Sequence, residues 1–151
     1  MLSARSPRKL MWAAESLAGF AVSQAVMALP PSFLLNRWVN IALQGTDSNA
    51  TDLARARTLA RVSHKVAERW PGQPLCLQRS LTLLLLLRLH GIGGRLRIGV
   101  RRLENEVVAH AWIEVAGQPV NESPQVCAMY GVYEVAGNAA VRDLAFVQAR
   151  S

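Results

Sequence analysis

Only two cysteines occur in the 151 residues, Cys76 and Cys127, and they form neither a CxxC pair nor a Cys/His cluster at zinc spacing. That excludes a disulfide-stapled secreted domain and a structural zinc module, and it suits a reducing cytosol. No metal or cofactor is expected. Lysine is equally scarce, with two against fifteen arginines, and no acid occurs between residues 76 and 103. No internal repeat, low-complexity tract or clean signal peptide is visible: the basic start MLSARSPRKLMW is followed by Glu15 and by no small-residue cleavage site.

Half of the chain is apolar, which excludes disorder, and its length suits one domain with a sizeable core. The net charge of +7 is concentrated in six arginines, Arg79, Arg88, Arg95, Arg97, Arg101 and Arg102. Such a patch serves an acidic partner or is simply a solvated face. Nucleic-acid binding is not expected, because no RNA- or DNA-binding motif accompanies the arginines. Residues 16–36 carry no charge over about the length of a membrane span, but Pro30-Pro31 interrupts them, and Ser23 and Gln24 sit mid-segment. Two amphipathic helices meeting at the prolines are expected rather than one span. The chain then reads as cytoplasmic, with peripheral contact to a membrane or a partner through these helices left open.

The first half is helical in pattern. Residues 7–28 place Leu10, Ala13, Leu17, Phe20, Ala21 and Met27 near one face. A second helix is expected over residues 32–43, and a third up to about Trp70 with Leu53, Ala56, Leu59, Ala60, Ser63 and Val66 along one side. WPGQP then ends regular structure. The next stretch, LCLQRSLTLLLLLRLHG (75–91), is apolar nearly all round, which marks a buried central helix. After Gly93-Gly94 the period becomes alternating: strands are expected over 95–102 and 107–115, with PVNE a short third and 129–135 and 144–147 weaker ones. Helices followed by an antiparallel sheet make an α+β fold. Residues 1–70 would be a helical segment packing on a core built from 71–151, within one compact domain.

Two residues stand out chemically. Cys76 falls on the first turn of the central helix, where free amides and the positive dipole end favour a thiolate. The same amides, with Gln73 as an added donor, would suit a tetrahedral oxyanion. A buried structural cysteine is the alternative. His110 is the natural base. Strand alternation puts Val107, Ala109, Ala111, Ile113 and Val115 on one face, and Val108, His110, Trp112 and Glu114 on the other. Glu114 lies roughly 13 Å along the strand, too far to orient the imidazole. A three-residue loop over 116–118 would bring Glu122 diagonal to His110; a two-residue loop would bring Asn121 there instead. Parity alone leaves both open.

The run PLCLQRSLTLLLLLRLHGIGGRLRIGVRR followed by AHAWIEVAGQPVNE closely resembles the lasso-peptide biosynthesis B proteins, the transglutaminase-like leader peptidases. The shared pattern is Cys-Leu-x-Arg-Ser-Leu at a helix start, Gly-Ile before the arginine strand, and His-Ala-Trp-x-Glu. It covers residues 71–124 well and the N-terminal helices weakly. The resemblance implies a papain/transglutaminase-like fold with Cys76 as nucleophile, His110 as base and Glu122 as third member, where the family usually has aspartate. It favours the three-residue loop, with Asn121 kept as the fallback orienter. Gln73, Asn121 and Trp112 are read as oxyanion or support residues. It implies a cysteine protease that removes the leader from a ribosomal precursor peptide before an asparagine-synthetase-like cyclase closes the ring. The chain is too short to hold a leader-recognition domain, so a separate leader-recognition protein is expected, with Arg95, Arg97, Arg101 and Arg102 available to an acidic leader or partner. A non-catalytic scaffold and an acyltransferase with the same residues are the competing readings.

Overall fold

A computed structural model describes residues 6–28 and 47–132. The helix expected over 32–43 and the strand expected over 144–147 lie outside the described residues, as does the side chain of Met27.

Helix α1 (Pro7–Ala28) starts with proline in its first turn, where the missing amide costs nothing. It buries a different face from the one its apolar residues suggest. Trp12, Ser16, Gly19, Phe20 and Ser23 are inside, whereas Leu10 and Leu17 are each 50% exposed. The reason is proximity to the central helix. A Cβ on Gly19 would lie 2.9 Å from Thr82 Cγ2, and Ser23 Oγ meets Thr82 Oγ1 at 3.0 Å. Gln78 Nε2 donates to Gln24 Oε1 at 2.8 Å. Small and polar side chains let the two backbones approach, and their polar atoms satisfy one another.

Helix α2 (Ala50–Ala67) opens with a capping box: Asp52 N donates to Asn49 Oδ1 at 3.0 Å, and Asn49 N reaches back to Asp52 Oδ2. Its inner face is Ala56, Leu59, Ala60, Ser63 and Ala67, close to the expected stripe. Turns through Trp70 follow, and the PGQP segment takes positive φ at Gly72 and Gln73. This delivers the chain to helix α3 (Cys76–Leu89), the buried central helix.

The sheet has the order β3-β2-β1-β4. Strands β1 (Arg95–Leu103) and β2 (Glu106–Val115) form a long antiparallel hairpin with Gly99 opposite His110. Strand β3 (Gln118–Pro119) is only two residues long. Helix α4 (Pro124–Ala128) follows, and β4 (Gly131–Val132) pairs with β1. Leu96 and Ile98 of β1 and Ala111, Ile113 and Val115 of β2 join Trp12, Leu59 and the leucines of α3 in one apolar cluster. Arg57 of α2 donates to Gln118 at 2.7 Å, fixing the β2–β3 turn to the helical layer. Helices followed by an antiparallel sheet are the expected α+β plan. No helix among the described residues is long and apolar enough to cross a membrane.

Candidate active site

The site grows from the shortness of β3. An antiparallel strand beside β2 would have occupied its edge amides and carbonyls, but pairing stops at Glu114–Pro119. Beyond it one more backbone bond forms, Val120 N to the Ile113 carbonyl at 3.0 Å, and side chains then take over the edge. Ile113 N donates to Asn121 Oδ1 at 2.7 Å, Asn121 Nδ2 donates to Ser80 Oγ at 3.1 Å, and Ser80 Oγ donates to the Ala111 carbonyl at 3.0 Å. These bonds pin the second turn of α3 against the open edge of β2. Cys76, one turn before Ser80, therefore meets the Ala111 amide and the side chain of His110. A histidine on the sheet face away from the central helix thus reaches a thiol on that helix across an edge, not through the sheet.

His110 Nε2 bonds Glu122 Oε2 at 2.9 Å, which leaves the other ring nitrogen to the thiol. The second Glu122 oxygen accepts from Ser123 N at 2.9 Å, fixing the carboxylate. The imidazole has two aromatic neighbours, Trp112 with centroids 6.2 Å apart and Tyr130 with centroids 5.3 Å apart. Glycine at 99 makes room for both. A Cβ there would stand 2.6 Å from Tyr130 Cβ and 2.8 Å from the Trp112 ring.

The electrostatics follow from these contacts. Burial pushes the Cys76 thiol up, but the bond to His110, the Ala111 amide, the His110 charge and the Leu77 amide outweigh it, so the thiol ionises below its ordinary value. Leu75 at the N-cap offers no side-chain acceptor to the helix start, so first-turn amides remain for an anion at the sulfur. His110 moves the other way. Its bond to Cys76 raises it, burial lowers it, and the Glu122 bond and the charges of both partners raise it, for a net increase. The two groups approach in pKa from opposite sides, which favours a thiolate–imidazolium pair. Cys127 on α4 differs: burial and the charges of Glu122 and Glu114 push its thiol up to about 11.

The loop length expected from the resemblance is corrected. Val115 pairs with Gln118, so Ala116 and Gly117 alone make the turn, both at positive φ. Strand parity would then have put Asn121 beside His110. It does not, because the ladder ends at Pro119 and the chain bends through residues 120–122. Asn121 turns inward to the β2 edge while Glu122 reaches the imidazole. Trp112 is buried, stacks on His110, and donates Nε1 to Glu114 at 3.3 Å. Gln73 stands exposed in the turn before α3, with its backbone N–H bonded to the Trp70 carbonyl. The four arginines divide: Arg95 and Arg102 are exposed, Arg97 bonds Glu114 at 2.8 Å, and Arg101 lies over Tyr130. Ser80, Gly99, Ser123 and Tyr130 were not singled out from sequence. Ser80 sits in the Arg-Ser-Leu motif and Ser123-Pro124 is a cap-and-proline helix start, so both carried a signal. Gly99 and Tyr130 are meaningful only once the register is known.

Among the described residues, no group of three or more His, Cys, Asp or Glu side chains could hold a metal ion. A groove of about 1100 Å³ runs between α1 and α2, lined by Leu10, Leu17, Arg61 and Lys65 among others, and ends at the 120–123 bend that carries Glu122. The thiol is outside it.

A family profile described as the transglutaminase-like superfamily matches residues 25–135, nearly three quarters of the chain. The chain belongs to the transglutaminase-like superfamily. Cysteine peptidase and acyltransferase chemistry is common in that superfamily, and the helix-then-sheet order agrees with its fold. No curated protein and no solved structure matches the chain.

Proposed function

We propose that this transglutaminase-like protein is a cysteine peptidase that removes the leader from a ribosomally made lasso-peptide precursor. The observation that carries the peptidase reading is the line Glu122–His110–Cys76, closed by a 2.9 Å carboxylate–imidazole bond at one end and by a thiol at the head of a buried helix at the other. The precursor class rests on the motifs around Cys76 and His110, which resemble the lasso B proteins.

In this reading the Cys76 thiolate attacks the carbonyl at the leader–core junction. First-turn amides of α3 hold the oxyanion, with Gln73 as a further donor. As the tetrahedral intermediate collapses, His110 gives its proton to the departing core amine and a thioester to the leader remains. His110 then takes a proton from water, whose hydroxyl replaces the sulfur and frees the leader acid. Glu122 holds the imidazole and stabilises its charged form, and Asn121 and Trp112 hold the surrounding backbone and ring. A separate leader-recognition protein presents the precursor, and an asparagine-synthetase-like cyclase takes the freed core.

Mass spectrometry of a precursor incubated with its leader-recognition protein and this chain tests the reading. Free leader and core are expected with wild type and neither with Cys76→Ala. Undiminished cleavage by Cys76→Ala overturns it.

A further inference from the structure

Arg101 stands beside the site and takes no part in the proposed chemistry. It lies on the same sheet face as His110, one register step along, because Gly99 opposes His110 and Val108 opposes Arg101. Its guanidinium carbon stands 5.0 Å from the Tyr130 ring centroid, and that centroid is 5.3 Å from the His110 ring. The Tyr130 ring thus links the guanidinium to the imidazole and holds it no more than about 10 Å away. Arg97, four residues earlier on the same face, is neutralised by Glu114. Arg101 has no carboxylate partner among the described residues; its Nη1 reaches only the Met129 sulfur, at 3.6 Å. Its Nε is buried without an acceptor.

Holding a cation in that way is costly. Arginine is normally retained at a partly buried position because its planar fork meets a carboxylate, and a buried donor without an acceptor is uncommon enough to call for a reason. Here the aromatic ring and the methionine sulfur fix the side chain, and among the described residues its fork meets no anion. Extended peptide advances about 3.3 Å per residue, so a span of about 10 Å from the imidazole covers roughly three residues beside the cleaved bond.

We infer that Arg101, propped on Tyr130, is an anion subsite of this active site that takes an aspartate or glutamate side chain of the substrate within about three residues of the cleaved bond. The inference rests on the peptidase reading for the identity of its ligand, but not for its charge.

The test separates the two. Cys76 is alkylated with neutral iodoacetamide and with anionic iodoacetate in wild type, Arg101→Gln and Arg101→Lys, and the adduct is mapped by mass spectrometry. Cys127, pushed up to about 11, stays protonated at neutral pH and is distinguished by its peptide. Arg101→Gln is expected to lower the iodoacetate rate relative to the iodoacetamide rate by roughly three- to tenfold, the size of a screened attraction over several Å, with the ratio kept by lysine and reduced by salt. A ratio unchanged in Arg101→Gln overturns the subsite while leaving the activated thiol intact. A Cys76 inert to both reagents in wild type overturns the thiolate and the subsite together. In the substrate arm, exchanging acids near the cut for their amides is expected to lower kcat/KM for wild type and not for Arg101→Gln; an equal loss in both proteins overturns the peptide ligand.

Discussion

Glu122 meets His110 by a single bond of 2.9 Å, and that bond is one of the forces holding the imidazole protonated. His110 is raised in the folded protein, so the stabilisation of its charged form is complete at low pH and is lost as pH rises through its folded pKa. Cys76 is lowered, so the stabilisation of its thiolate is present at high pH and is lost as pH falls through its folded pKa. Activity by the ion pair therefore falls on the alkaline side as His110 loses its proton. Glu122→Gln removes a charge that raises His110, so the alkaline limb of kcat/KM is expected to move to lower pH, with kcat lowered by roughly a hundredfold. A pH–rate profile checks both, and an unshifted limb would mean that Glu122 is a spectator. Gly99 is the other residue whose identity the site demands. Gly99→Ala would drive a methyl into Tyr130 and Trp112. It is expected to cost about 1–3 kcal/mol of stability, read by denaturant titration, and to reduce turnover further because both displaced rings flank His110.

The elements show where sequence reasoning works and where it fails. The buried central helix, its cysteine at the first turn and the alternating strands were legible because each has a strong period and a clear stop. The face of α1 was not. Counting apolar residues chose Leu10 and Leu17, whereas close packing on α3 selected Gly19, Ser16 and Ser23. Small polar residues carry little hydrophobic signal but decide how near two helices can come. The contact is testable. Gly19→Ala is expected to destabilise the protein by about 1–3 kcal/mol by forcing α1 off α3. Thr82→Ser, which removes the methyl that Gly19 faces but keeps the hydroxyl bonded to Ser23, should recover most of that loss in the double variant. Additive losses measured by thermal unfolding would show that the two helices do not meet at this point. The third site residue was half legible. Parity reasoning confined it to Asn121 or Glu122, yet parity holds only while a strand is paired, and β3 ends before either. The helix α4 was missed because five residues give no period to detect.

At the scale of the molecule, one apolar cluster joins α1, α2 and α3 to the hairpin, so the site stands on a shared core. Cys76 and Ser80 come from the helix, Ala111 and His110 from the strand, and Asn121 and Glu122 from the bend after a strand two residues long. No part of that arrangement is local in the chain, and all of it depends on α3 abutting an unpaired sheet edge. On the proposed leader-peptidase reading the consequence is covalent: the leader should pass through a thioester to Cys76. The decisive measurement is the intact mass of the protein quenched in acid during turnover of a precursor presented by its leader-recognition protein. An adduct equal to the leader acid less one water, mapped to Cys76, released by hydroxylamine and absent from Cys76→Ala, is the predicted result. Cleavage that persists in Cys76→Ala, or an adduct mapped to any other residue, would contradict the account.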